Sequence, residues 1–443
     1  MLAPRTMDAL LDLAALQGDA VPSPAREMAR LSLFDWFVVA RAGAPEPVAN
    51  IIRDLVAEEG GKPAASVVGL AGKKVPARAA ALANGTISHA LDYDDTHFAH
   101  IGHPSVAILP ATLAVGEEFD VSGAAVLDAF LIGAEASIRV GILLGRPHYD
   151  RGFHQTATAG AFGATVAAAR AMGLTRDQTR QALSLVSTRA SGLKCQFGTM
   201  GKPYNAGLAA SNGVEAAALA RRGFVSADDG IGGGQGFIDA HVDIAFEEEA
   251  WAAPPPKAFL FEDVKHKLHA CCHGLHAAIE ALKALKARLS IEPDAVAAAT
   301  IRVNPRWLKV CAIERPRTGL EAKFSYAMTA AMTLEGIDTA ADKAFDDALC
   351  ANPRLTPILP RVEVLGDAAL PDTAAVVRLD LRGRPPVEAA HDLMARVAPD
   401  KLKLGLRAKA AALLGQSAAV GLWRSACDLD TLSARELARL MNG

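Results

Sequence analysis

At 443 residues the chain is long enough to bury one large core or two. It is 51% hydrophobic and 21% charged, with only 5% aromatic residues, a globular composition that favours packed helices. A formal net charge of -3, from 46 basic and 49 acidic residues, excludes the basic field that a nucleic-acid backbone requires.

The first stretch, MLAPRTMDALLDLAALQGDAV, carries acids among its apolar residues and has no basic lead-in, so no secretory leader is expected. From Ser23 and Pro24 the run PAREMARLSLFDWFVVARAG has helical periodicity, with Gly43 where a C-cap glycine is expected. The same period recurs over Ala77–Leu91, Pro104–Phe119, Gly123–Leu144, Thr156–Met172, Arg176–Ser187 and Tyr204–Arg222. Ala124–Gly145 is the most apolar of these, but Asp128, Glu135 and Arg139 make it too polar to span a bilayer. Three prolines in AAPPPKAFLFEDVK end the helical text and mark a boundary. Beyond it, Ala297–Val303, Arg361–Leu365 and Ala375–Arg382 alternate like half-buried strands, between helices at Gly274–Leu285 and Lys323–Leu334. The chain ends in helical text again, Asp400–Leu414 and Leu432–Met441. A mainly α protein follows, with a large helical domain and a smaller α+β one. The six cysteines, only Cys271 and Cys272 adjacent, do not read as a disulfide framework, and a cytoplasmic location fits best.

Polar chemistry concentrates in HALDYDDTHFAHIGHPS, where His89, Asp92, Asp94, Asp95, Thr96, His97, His100 and His103 fall within 17 residues. A solvated loop is the plain alternative. Asp92 falls at the end of a helical run, where negative charge is unfavourable unless something positive lies nearby. His103 precedes Pro104 and should therefore sit extended at a helix N-terminus. There the dipole disfavours imidazolium and a carboxylate such as Asp92 favours it, a balance suited to a general base. Lys202, in FGTMGKPYNAG, also stands before a proline at a helix start, reading either as an exposed lysine or as part of an anion site. His154, in DRGFHQTATAGAFGA, reads as a buried acid or as a capping histidine.

The segment KHKLHACCHGLHAAIEA pairs His269 with His273 at i, i+4, but the glutamate of HExxH and a second ligand pair are lacking, so no metal is expected. Asp92-Tyr93-Asp94-Asp95 spells the DxDD of some terpenoid cyclases, yet the aromatics that steady carbocations are scarce. GIGGGQG at Gly230–Gly236 does not satisfy GxGxxG and reads as a loop.

Several stretches in one order resemble the MmgE/PrpD family: ANGTISHALDYDDTHFAHIGHPS with VAILPATLAVGEE, GFHQTATAGAFGATVAAARAMGL, FGTMGKPYNAGLAASNGVEAAALARRGF, KHKLHACCHGLHAAIEA and AKFSYAMTAAMTLEG. The family includes 2-methylcitrate dehydratases, cis-aconitate decarboxylases and an iminodisuccinate epimerase. The resemblance implies a helical domain from residues 1–262 and 400–443, an α+β lid over 263–399, a homodimer, and an active site between the domains. It implies a lyase that needs no cofactor and acts on a small polycarboxylate, with an epimerase or a non-catalytic carboxylate binder as alternatives. Catalytic roles are implied for His103, Asp92, His154 and Thr96, and substrate binding for Lys202, Lys267 and Cys272. Two positions depart from the pattern: Cys272 stands where cis-aconitate decarboxylases have histidine, and Met328 where many members have tyrosine. A dedicated decarboxylase is therefore the weaker expectation, and a dehydratase of a 2-hydroxy polycarboxylate the stronger.

Overall fold

In the computed structural model, which describes residues 6–442, the chain divides into two compact units. One runs to His266 and resumes at Gln416; the other is Lys267–Gly415. The first contains helices α1 (Thr6–Ala15), α2 (Ser23–Gly43), α3 (Pro47–Glu59), α4 (Ala77–Ser88), α5 (Pro104–Phe119), α6 (Gly123–Arg151), α7 (Gln155–Ala171), α8 (Arg176–Val186), α9 (Gly201–Arg221), α10 (Phe237–His241) and α11 (Glu247–Trp251). A two-stranded antiparallel ribbon, β1 (Ala65–Ser66) and β2 (Lys74–Val75), lies between α3 and α4.

The most central helix is α7, whose residues Gln155–Ala169 are all buried. A helix buried all round needs small side chains if its neighbours are to come close, and TATAGAFGATVAAARA supplies them. A Cβ on Gly163 would fall 2.4 Å from the carbonyl oxygen of Gly133 on α6. A Cβ on Gly85 would fall 2.7 Å from the Cα of Gly207, locking α4 against α9. These contacts bring one end of α4, α5, α7 and α9 to a common place.

The boundaries refine the sequence reading. Gly43 does not adopt the left-handed conformation of a C-cap glycine; it is the last helical residue, and a Cβ there would strike the Ile87 carbonyl at 2.4 Å. Helix α4 stops at Ser88, three residues before Leu91, with His89 as its C-cap. Helix α6 continues past Leu144 but is broken at Gly145, whose φ of 63° only glycine adopts readily.

One buried ion pair organises the segment after α11. Arg139 on α6 bonds Glu135 at 2.8 Å and also donates to the carbonyls of Ala250, Ala253 and Ala258 at 2.7, 2.9 and 3.1 Å. Glu135 in turn accepts from the backbone N–H groups of Leu260 and Phe261. The chain then reaches Lys265, which exchanges two backbone hydrogen bonds with Thr96.

The second unit holds α12 (His273–Leu289), α13 (Gly319–Ala322), α14 (Tyr326–Glu335), α15 (Pro399–Leu414) and a four-stranded sheet. Its strands β3 (Val296–Val303), β4 (Val362–Gly366), β5 (Ala374–Leu381) and β6 (Val387–Asp392) lie in the order β4-β3-β5-β6. Only β3 and β4 are parallel. Along β5, Ala375, Val377, Leu379 and Leu381 are buried, the period-2 face that alternation predicts, and α12 covers β5 and β6. Strand β6 was not expected from the sequence. Helix α15 belongs to this unit, where Leu268 packs against Gly405, so the division falls at Gly415 rather than at 399. The chain then returns to the first unit as α16 (Gln416–Cys427) and α17 (Ala434–Arg439). No described helix is long and apolar enough to cross a membrane.

Candidate active site

The ends that small-residue packing brings together carry the polar patch. His89 closes α4, His103 is the N-cap of α5, His154 is the N-cap of α7, and Lys202 lies in the first turn of α9. Three helix N-termini therefore share this place, each contributing a partial positive charge of about half an elementary unit. His103 has the extended conformation expected before Pro104, and its backbone N–H donates to Thr156 Oγ1 at 3.0 Å.

The carboxylate that orients His103 is Asp94. Its Oδ2 lies 2.8 Å from His103 Nδ1, and its Oδ1 lies 2.8 Å from His89 Nδ1. Burial would push the Asp94 carboxyl up, but the two imidazoles together outweigh it and hold the pKa well below the usual carboxylate range. An ionised carboxylate accepts only, so both imidazoles present Nδ1–H to it, and in the neutral form of each ring the lone pair is on Nε2.

Asp92, expected to orient or charge-tune His103, does not hold its Nδ1 but stands beside its Nε2. It adopts a left-handed conformation with φ 50°, in the turn after α4, not at the helix end the sequence implied. Its Oδ2 holds the Lys202 ammonium at 2.7 Å, and its Oδ1 stands 3.4 Å from His103 Nε2. An oxygen facing a nitrogen lone pair attracts only after the nitrogen has gained a proton. The geometry is that of a base prepared to accept one at Nε2, with Asp92 stabilising the cation that results.

His154 stacks near His89, with ring centroids 6.2 Å apart, and meets Phe197 edge-on at 4.9 Å. The Asn205 amide donates to its Nδ1 at 3.2 Å, which leaves the proton on Nε2. Burial first, then the neighbouring His89 and Lys202, hold its pKa well below 6.5. His154 is thus a neutral hydrogen-bond donor. Lys202 also lies over the Phe197 ring, 5.4 Å from its centroid.

Of the residues expected from sequence, His103, Asp92, His154 and Lys202 are brought together. Thr96 is nearby in the chain, where its backbone pairs with Lys265 and its hydroxyl lies 3.4 Å from the Lys265 carbonyl. Lys267 and Cys272 belong to the second unit. There Lys267 is buried near Cys271 and His276. Cys272 is the N-cap of α12, and its hydrogen bond to Cys311, followed by burial, pushes the Cys311 thiol up. Met328 is buried, and the Tyr326 hydroxyl is engaged by the Gly274 carbonyl at 2.8 Å. Asp94, His89 and Asn205 were not chosen from sequence. The first two lay inside the patch already recognised, and an unbroken run of three buried residues, Tyr93-Asp94-Asp95, is what separates Asp94 from a solvated acid.

His89, Asp92, Asp94 and His103 present ligand-type atoms within 4.8 Å of one another. In this arrangement both Asp94 oxygens accept from imidazoles, and Asp92 holds an ammonium. His269, considered for zinc, precedes α12 and so does not share a helical face with His273. Its two ring nitrogens contact Thr339 at 2.7 Å and Glu280 at 3.0 Å.

The buried histidines around the site make the fold acid-labile. Burial lowers His97 to about 4, His100 to about 3 and His148 to about 4. Each is neutral when folded and gains a proton when unfolded, so its contribution is fully present above about pH 6.5 and is lost as the pH falls toward 4. Asp95, raised to about 7 by burial, acts oppositely, favouring the folded state as the pH falls below 7. Glu135 is raised as well, but His154, His269 and His276 are lowered too, so the lowered histidines outnumber the raised carboxyls and the urea midpoint is expected to fall between pH 6.5 and pH 4.5; a midpoint that rises on acidification would contradict this balance.

A helical unit whose converging N-termini surround a His–Asp–Lys cluster defines an acid–base site suited to anions. The sequence matches the MmgE/PrpD N-terminal domain over residues 13–248 and the MmgE/PrpD C-terminal domain over residues 269–397, and the chain belongs to the MmgE/PrpD family. It is similar to the cis-aconitate decarboxylase of Aspergillus terreus, 29% identical over 286 residues that cover 62% of this chain and 58% of that protein. The cis-aconitate decarboxylase-like protein oryM of Aspergillus oryzae is 29% identical over 291 residues, 61% of this chain and 59% of the relative. Human cis-aconitate decarboxylase is 33% identical over 156 residues, 34% of this chain and 32% of the relative. The chain thus spans less than three fifths of the length of these relatives.

Proposed function

We propose that this protein is a cofactor-independent lyase that takes a proton from the carbon alpha to a carboxylate of a small polycarboxylate, most simply a dehydratase of a 2-hydroxy acid of the 2-methylcitrate type. The observation that carries the reading is His103, held at Nδ1 by buried Asp94 and presenting Nε2 beside Asp92 and Lys202. A substrate carboxylate would take Lys202 from Asp92 and lie among the N-termini of α5, α7 and α9, where its charge helps to acidify the neighbouring C–H. His103 Nε2 accepts the proton. The C–H electron pair becomes the alkene bond, and the hydroxyl receives that proton through the imidazolium and leaves as water. The Nε2–H of His154, neutral and fixed by Asn205, would hydrogen-bond the oxygen on which charge develops. Lys267, Cys272 and Thr96 enter this proposal through the family resemblance, as does the homodimer.

The named relatives support a second reading, decarboxylation of an unsaturated tricarboxylate. Proton NMR in D2O with 2-methylcitrate, citrate, cis-aconitate, tartrate and iminodisuccinate separates the two. Dehydration gives a new alkene with loss of an alpha C–H, decarboxylation gives a product with one fewer carboxylate, and epimerisation gives exchange without net loss. Each is expected to vanish in His103→Asn. Tight binding of a panel member with neither exchange nor product would sink the lyase reading and favour a carboxylate-binding protein.

A further inference from the structure

His89 makes one hydrogen bond through its ring, Nδ1 to Asp94 at 2.8 Å, and its Nε2 is buried with no partner. Its ring lies edge-on to His103, with centroids 4.6 Å apart. A buried imidazole nitrogen of this kind calls for an explanation, and the nitrogen that is used offers one. That nitrogen binds the same carboxylate that orients His103, on the other oxygen. Asp94 is therefore divided between two imidazoles.

We propose that His89 is a positioning residue that holds down the basicity of His103 by drawing on Asp94. A carboxylate that already accepts one strong hydrogen bond is a weaker acceptor for a second, and stabilises the imidazolium on the other side less. The sign does not depend on whether His89 is neutral or charged, since both forms withdraw electron density from Asp94. The other charged and titratable groups facing His103 come from all the packed elements: Asp92 and His100 from the same loop, His154 from the start of α7, and Lys202 from α9. None of these touches Asp94's outer oxygen as His89 does. The consequence is a base that is deprotonated, and so ready, at a lower pH than an Asp–His pair alone would permit.

This inference rests on the reading of His103 as the base, and its test separates the two. Histidine-selective 15N and 13C NMR titration of the substrate-free protein requires no turnover. In His89→Phe, which keeps a ring of similar size but removes the donor, the His103 titration midpoint is expected to rise by about one pH unit. His89→Asn, whose amide can donate to Asp94, is expected to restore most of that shift. An unchanged or lowered midpoint in folded His89→Phe overturns the proposal. If that variant does not fold, the unsubstituted protein decides: both His89 and His103 must be Nδ1-protonated, and a His89 carrying its proton on Nε2 overturns it. With an active substrate, the acid limb of kcat/KM must rise with the NMR midpoint. Absence of turnover across the panel would instead remove the proposed function and leave the titration to judge His89.

Discussion

Asp94→Asn is expected to lower kcat/KM by about 10³- to 10⁴-fold on whichever polycarboxylate the protein turns over, the size of loss that follows removal of the orienting carboxylate from a histidine base. An amide is nearly isosteric with the carboxyl, so the packing around Tyr93 and Asp95 survives. What changes is the pattern of donors. Asp94 accepts from two Nδ1–H groups, and an asparagine can accept from one of them only, since its nitrogen donates. Whichever imidazole meets that nitrogen must turn its Nδ1 lone pair inward and move its proton to Nε2. If that imidazole is His103, the base is blocked; if it is His89, His103 still loses the anion that stabilises its imidazolium. The measurement is kcat/KM beside the 15N spectrum of the histidines. A variant with the native His103 tautomer and activity within tenfold of native would refute the role of Asp94.

The same residues show how far the sequence could be read. HALDYDDTHFAHIGHPS was recognisable as the densest polar stretch, and His103 as the residue that opens α5, because Pro104 fixes both the start of that helix and the extended conformation before it. The partner of His103 was not recognisable. Choosing between Asp92 and Asp94 requires knowing that α4 ends at Ser88 and that Asp92 turns left-handed, and nothing in a helical period announces a three-residue shortening. One residue with φ near 50° re-aims the carboxylates, so that Asp94 enters the core and Asp92 faces Lys202. The helices of the first unit were legible because α5, α6 and α7 are long and bounded by proline, serine or glycine signals. Strand β6 was hidden by Pro385 and Pro386 just before it and by the alanines within VEAAHD, which give alternation little contrast. Helix α15 reads as a helix from its own text, but which unit it joins is decided by the contact of Leu268 with Gly405, far apart in the chain.

Arg139→Met is expected to destabilise the first unit by about 3–5 kcal/mol, the cost of breaking a buried ion pair from one side. The guanidinium is almost wholly buried and joins Glu135 to three carbonyls of the 250–258 segment, so its loss takes a donor from four acceptors at once. The greatest harm is to Glu135, whose pKa burial already raises against the pull of Arg139. Without that pull the carboxyl is expected to hold its proton in the folded state at higher pH still. A group whose folded pKa is raised favours folding at low pH and loses that contribution as the pH rises through it, so the deficit of the variant should be larger at pH 8 than at pH 5. Adding Glu135→Gln should remove this pH dependence, because no buried charge then remains to form. Trp251 lies 5.2 Å from the Arg139 guanidinium and provides the local signal for a urea titration. Its transition in Arg139→Met is expected at lower urea than in the native protein, with the double variant no less stable than the single one at pH 8; a double variant clearly less stable there would mean that the network of carbonyls, not the abandoned carboxylate, sets the loss.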